Sequence, residues 1–121
     1  GSEMCIRDSP IQATQSQDST TIARLTGSLT VMNAPDLRVG LLEAIKANKP
    51  KILAINLADV DFIDSSALGV FVEARRQMTA DDGNVTFTNV NADIRGLMRI
   101  MNLDSVFNFV DDEAELTAAS E

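Results

Sequence analysis

Asp64, Ser65 and Ser66 are the residues of this chain whose types and spacing best suit chemistry. They sit in the run Asp59-Val60-Asp61-Phe62-Ile63-Asp64-Ser65-Ser66-Ala67-Leu68-Gly69, where a hydrophobic strand exit, an acidic-hydroxyl cluster and the first turn of a helix follow one another. Asp is a favoured residue just before a helix, because its carboxylate accepts from backbone N–H groups two or three residues on, here Ser66 or Ala67. Ser65 is then the first helical residue, with its hydroxyl pointing outward from the helix tip. A phosphate ester there meets free N–H groups and the positive end of the helix dipole, so the fold should survive it. It adds about −1.5 to −2 charges beside Asp59, Asp61 and Asp64. A partner that docks on the neutral turn would be repelled. The same residues could merely start a helix, since Asp-Ser pairs at helix starts are common.

Composition narrows the alternatives. The chain has no His, which excludes a Ser-His-Asp triad, a Cys-His pair and a His-ligated metal. Asp59, Asp61 and Asp64 lack the Gly and downstream Glu of a calcium loop. As a general acid/base pair they have no nucleophile beside them. A solvated acidic loop, with no metal, cofactor or catalysis, is the expectation. Trp and Tyr are absent, which removes stacking platforms for bases. The net charge of −8 repels phosphate backbones and anionic membrane surfaces, so neither nucleic acid nor membrane is expected as a direct partner. No apolar run approaches the roughly 20 residues that span a bilayer, and residues 1–19 are too polar for a secretory signal. A cytoplasmic location is the simplest expectation. Cys5 is the single cysteine, so no intrachain disulfide can form.

The elements that must hold the serine turn alternate along the chain. At 121 residues one domain is expected. Gly1-Ser2 looks like the scar of a cleaved tag, and residues 3–9 look like a translated adapter sequence. The prediction is a disordered tail over 1–9 and a single domain over 10–121. Residues 11–15 and 21–25 are β-prone and read as a hairpin around the polar turn Gln17-Asp18-Ser19. Asn33 can cap a helix that has Pro35 in its first turn and Leu37, Leu41, Ala44 and Ile45 on one face. Residues 51–57 form a nearly continuous apolar run, as a central strand does.

From about Ser65 to Thr79 a helix carries the stripe Ala67, Val70, Phe71, Ala74 and Met78. Gly69 within it suggests close packing on the sheet. Arg75-Arg76 should face solvent, where it could meet an acidic partner. Residues 85–90 alternate as a strand with Val85 and Phe87 on one face. Ile94, Leu97, Met98 and Met101 mark a third helix, with Met98 and Met101 read as core. Residues 106–110 suit a short edge strand and 112–118 a weakly held last helix. Strand-helix-strand alternation implies parallel crossovers, and the opening hairpin adds antiparallel pairing. The fold class is α/β, a mixed sheet covered by helices.

The strand ending Asn56-Leu57, the segment 59–63 and then D-S-S-A-L-G-V resemble the STAS domain (sulphate transporter and anti-sigma factor antagonist), specifically the free-standing bacterial anti-sigma factor antagonists. Gly83-Asn84-Val85, Asn89-Val90, Ile94-Arg95 and Leu103-Asp104-Ser105-Val106-Phe107 follow the same pattern. The resemblance implies a STAS fold with a mixed four- to five-stranded sheet. It implies that Ser65 is the phosphorylatable serine, modified by an anti-sigma factor that is itself a serine kinase and restored by a PP2C-type phosphatase. Asp59, Asp61, Asp64, Ser66, Ala67 and Leu68 would surround Ser65 as the partner-binding surface. Unmodified, the protein would bind the anti-sigma factor and release the sigma factor. It would be a monomer alone. A second reading is a STAS subunit gripping the ATPase of an ABC-type lipid-transport complex. A third, a small hydrolase using Asp64 and Ser65, is remote without His. The chain has Ala67 where the family usually has Gly, a methyl that could obstruct a close partner. It has Thr30 where the family often has an acidic residue that contacts the kinase.

Overall fold

The computed structural model describes residues 10–119; the tail expected over residues 1–9, with Cys5, lies outside the described residues. Strands β1 (Ile11–Gln17) and β2 (Thr20–Leu29) pair antiparallel across the two-residue turn Asp18-Ser19. Asp18 adopts the left-handed backbone, φ 57°, as a tight hairpin turn requires and as Asp tolerates. Both strands run past the limits expected from β propensity, because ladder pairing continues through the polar residues at their ends.

Helix α1 (Ala34–Asn48), strand β3 (Ile52–Ile63), helix α2 (Ser65–Ala80), strand β4 (Asn84–Thr88), helix α3 (Ala92–Ile100), strand β5 (Asn108–Val110) and helix α4 (Ala114–Ala119) complete the chain. The sheet order is β1-β2-β3-β4-β5, with every pair after the first parallel. The architecture is therefore the expected mixed α/β sheet, at the five-stranded end of the range. β3 lies at its centre, as its apolar run foretold.

Register divides the sheet into two faces. Ala23, Leu25, Leu53, Ile55, Leu57, Val85 and Phe87 point to one side and are buried with Leu37, Leu41, Phe71, Ala74, Met78, Ile94 and Met98 of α1 to α3. Phe87 is the hub of this core, with edge-on contacts to Phe71 and Phe107 at centroid distances of 5.1 and 4.9 Å. The intervening positions Ile22, Arg24, Ala54, Asn56, Thr86 and Thr88 point to the other side. There, Ala54, Thr88 and Leu116 of α4 are buried outside the main cluster.

Three expectations about packing are corrected. Gly69 faces open space, with none of the described residues within 4 Å of where a Cβ would be apart from its own helix backbone and chain neighbours, so close packing does not account for it. Met101 is exposed and ends α3 rather than continuing its buried stripe, because the helix stops after Ile100. α4 is held firmly: Glu113, just before it, bonds Arg24 and Asn56, and Leu116 is buried. Gly83 does need its missing side chain, since a Cβ there would meet the Lys51 carbonyl oxygen at 2.9 Å. That close approach lets the α2–β4 turn lie against the start of β3, with Asn84 N–H donating to Lys51 O at 2.9 Å.

Candidate functional site

The serine turn lies where β3 ends and α2 begins, on the edge of the sheet to which the parallel strands deliver their C-termini. In open α/β sheets that edge is where sites form. β3 reaches it because the segment from Asp59 to Ile63 is strand and not the acidic loop expected from its charge. Val60 and Ile63 are buried, whereas Asp59, Asp61 and Phe62 are exposed. An irregularity in the β2–β3 register at Gly27/Ser28, where Gly27 takes φ 83°, brings Ser28 opposite Phe62. The Ser28 hydroxyl donates to Asp61 Oδ1 at 2.8 Å.

Asp64 caps α2 as expected, and does more. Its Oδ1 accepts from both Ser66 N–H at 2.8 Å and Ala67 N–H at 3.2 Å. Its Oδ2 accepts from the Val31 N–H at 3.0 Å. Its own N–H donates to Leu29 O at 3.0 Å. One carboxylate thus joins the first turn of α2 to the connection between β2 and α1. Ser65 is the first residue of α2 and is exposed; Ser66 is half-buried.

The β2–α1 connection is the part that sequence reasoning missed. Asn33 precedes α1 but makes no side-chain cap bond to it. Instead its Oδ1 accepts from Thr30 N–H at 2.9 Å and its Nδ2 donates to Ser28 O at 2.8 Å. The Thr30 hydroxyl accepts from Met32 N–H at 3.2 Å. This folded turn presents Val31 and Met32, which are 64% and 86% exposed. The Thr-x-x-Asn spacing from Thr30 to Asn33 was the available signal, because short polar side chains at that spacing bond to nearby backbone.

Of the residues expected around Ser65, the structure exposes Asp59, Asp61 and Ser65 and half-buries Asp64 and Ser66. Ala67 and Leu68 are corrections. They are 0% and 4% exposed and belong to the core under α2. Helical spacing turns their side chains inward, so the Ala67 methyl does not stand in the way of a partner and Leu68 is not presented to one. Arg75 does not face free solvent as expected: its Nε donates to Val106 O at 2.9 Å, while Arg76 is exposed. Among the described residues no cluster of three or more His, Cys, Asp or Glu is arranged to hold a metal ion, and no helix is long and apolar enough to cross a membrane.

A second polar cluster occupies the opposite face of the sheet. Glu113 takes Arg24 Nε and a terminal guanidinium nitrogen, each at 2.8 Å, and also accepts from Asn56 Nδ2. The Glu113 N–H donates to Asn89 Oδ1 at 3.2 Å. The bonded guanidinium of Arg24 holds the Glu113 carboxyl below its usual range against the opposing effect of burial, with Asn56 assisting.

Related proteins share this fold. An anti-sigma F factor antagonist from Paenibacillus polymyxa is 26% identical over 92 residues, 76% of this chain and 79% of that one. The anti-sigma factor antagonist SpoIIAA in its unphosphorylated form superposes with a TM-score of 0.68 at 21% identity, covering 89% of this chain and 96% of that one. SpoIIAA of Bacillus in its phosphorylated form gives 0.66 at 21% identity, over 88% and 99%. An anti-sigma factor antagonist from Mycobacterium paratuberculosis gives 0.78 at 21% identity, over 90% and 92%. The model of the STAS domain family matches residues 12–116, and the chain belongs to that family.

Proposed function

We propose that this protein is an anti-sigma factor antagonist switched by phosphorylation of Ser65. The observation that carries the reading is the placement of Ser65: exposed, first in α2, directly after a residue that already caps the helix through its side chain. A phosphate at that tip lies at the positive helix end, beside first-turn amides that Asp64 already bonds, so it is accommodated without unfolding. It also adds charge to a surface that exposes Asp59 and Asp61. The unmodified surface binds an anti-sigma factor that is itself a serine kinase, and the sigma factor is released. Phosphorylation reverses this, and a PP2C-type phosphatase restores the binding form. The protein is a kinase substrate and binding module with no catalysis of its own. Asp59, Asp61, Asp64 and Ser66 border the contact, while Ala67 and Leu68 act from beneath it by packing α2.

The test is incubation with the cognate kinase and ATP, then mass analysis of wild type and Ser65→Ala. Phosphate on Ser65 that is absent from the variant is expected. No modification, together with intact binding to an ABC-type transporter ATPase, would overturn the reading in favour of a lipid-transport subunit.

A further inference from the structure

We infer that Asp64 is a positioning residue that transmits the state of Ser65 to the β2–α1 turn, so that phosphorylation releases the Val31 amide as well as adding charge. The inference rests on Ser65 being the phosphoacceptor. Its physical basis is the division of labour within one carboxylate. Oδ1 is engaged by two amides of its own helix, Ser66 and Ala67, and Oδ2 by one amide from a different element, Val31.

A phosphate on Ser65 puts a second anion on the adjacent residue, at the same helix tip. It competes for the N–H groups of the first turn and repels the Asp64 carboxylate. The two oxygens do not yield equally. The Oδ1 bonds are local, within three residues, and sit at a part-buried tip. The Oδ2 bond spans 33 residues and is exposed, so water can replace the carboxylate at Val31 N–H. The Val31 link is therefore the one released. What remains in the turn is carried by Thr30 and Asn33, whose side chains bond backbone groups of the turn itself and of Ser28, and by the Asn33 and Ala34 N–H groups donating to Thr30 O. Nothing in that set ties Val31 to α2. The turn carries two strongly exposed apolar side chains, so its release changes a surface a partner can read, beyond the site of modification.

The experiment is solvent-exchange NMR on the full chain, reading the amide of Val31 against Leu53 in the central strand. Three proteins are compared with wild type: one with phosphoserine installed at position 65 by genetic-code expansion, Asp64→Asn, and Ser65→Ala. Asn keeps an acceptor for the α2 cap but replaces the second oxygen with a nitrogen that cannot accept. Loss of a charge-assisted hydrogen bond predicts about tenfold faster exchange at Val31 in the phosphorylated protein and in Asp64→Asn. Leu53 and the Ser65→Ala protein should be unchanged. Faster exchange in Asp64→Asn alone, or in the phosphorylated protein alone, overturns the coupling, as does no change in either. A uniform rise that includes Leu53 overturns it too, because it reports global opening. Because the phosphate is installed without a kinase, failure here is distinct from failure of the kinase assay.

Discussion

Asp64 and Glu113 are two carboxylates that each gather three donors, on opposite sides of the same sheet, and they do different work. Asp64 is bonded by main-chain N–H groups of Val31, Ser66 and Ala67. Glu113 is bonded by side chains, two nitrogens of Arg24 and one of Asn56. The first has no cation in its bonded set and stands at an edge where a further negative charge can be added beside it. The second is neutralised by a bidentate guanidinium and lies under a segment that closes the back of the sheet. A carboxylate held by amides can be disturbed by a neighbouring anion. One held by Arg resists such disturbance and serves as an anchor. On the proposed function the chain places its adjustable link at the serine turn, and its fixed link joins two residues 89 apart in sequence.

The comparison is broken most directly at Asp64. Asp64→Ala leaves the first-turn amides of α2 without their cap and should cost roughly 1–2 kcal/mol of unfolding free energy. Asp64→Asn retains a capping oxygen and should cost less, roughly the 0.3–1 kcal/mol of a charge at a helix N-terminus. Urea denaturation of the three proteins checks this. Equal losses for Ala and Asn would mean that the charge, and not the cap bonds, holds α2.

These two carboxylates were not equally visible in the sequence. Asp64 was legible because a cap acts on residues two and three positions on, and Asp-Ser-Ser before an apolar stripe carries that information locally. The alternation of strands and helices was legible for the same reason, since periodicity is a local property. The strand character of residues 59–61 was not. Their charge suggested a loop, and pairing with Thr26 and Gly27 of β2 overrides it. Ala67 belongs to the apolar stripe that periodicity marks, and only the family resemblance placed it and Leu68 on the binding surface. A helix turns successive residues by about 100°, and that rotation carries them into the core. Glu113 and the link from Val31 to Asp64 depend on partners that only the folded chain brings together, so no local pattern announced Arg24 as the partner of Glu113.

Glu113→Gln sharpens the contrast through pH. Bonding to Arg24 keeps the folded-state pKa of Glu113 below its unfolded value of about 4.3. The unfolded chain then binds more protons in acid, so this contribution is complete above the unfolded value and is lost as pH falls through the folded one. At neutral pH the variant should be less stable by about 1 kcal/mol, after allowance for solvent screening of a partly exposed pair. The gap between variant and wild type should narrow steadily below about pH 4. A gap independent of pH would show that the shape of the side chain, and not its ionisation, anchors α4.

The smallest effect separates charge from burial. Arg38 of α1 and Glu73 of α2 form a bidentate pair with bonds of 2.8 and 2.9 Å, as geometrically good as that of Arg24 and Glu113. Bonding to Arg38 lowers the Glu73 pKa. Its side chains are 50% and 33% exposed, against 34% and 21% for Arg24 and Glu113, and among the described residues it has no third partner comparable to Asn56. Water competes for each of its bonds, and ordering two long side chains offsets what attraction remains. A double-mutant cycle of Arg38→Ala and Glu73→Ala, followed by urea denaturation at neutral pH, should give a coupling within experimental error. The same cycle on Arg24 and Glu113 should give a clear one. Equal couplings would mean that geometry alone sets the strength of an ion pair here. Asn56 and the overlying α4 would then add nothing, and the distinction between a fixed and an adjustable carboxylate would have to rest on Arg24 alone.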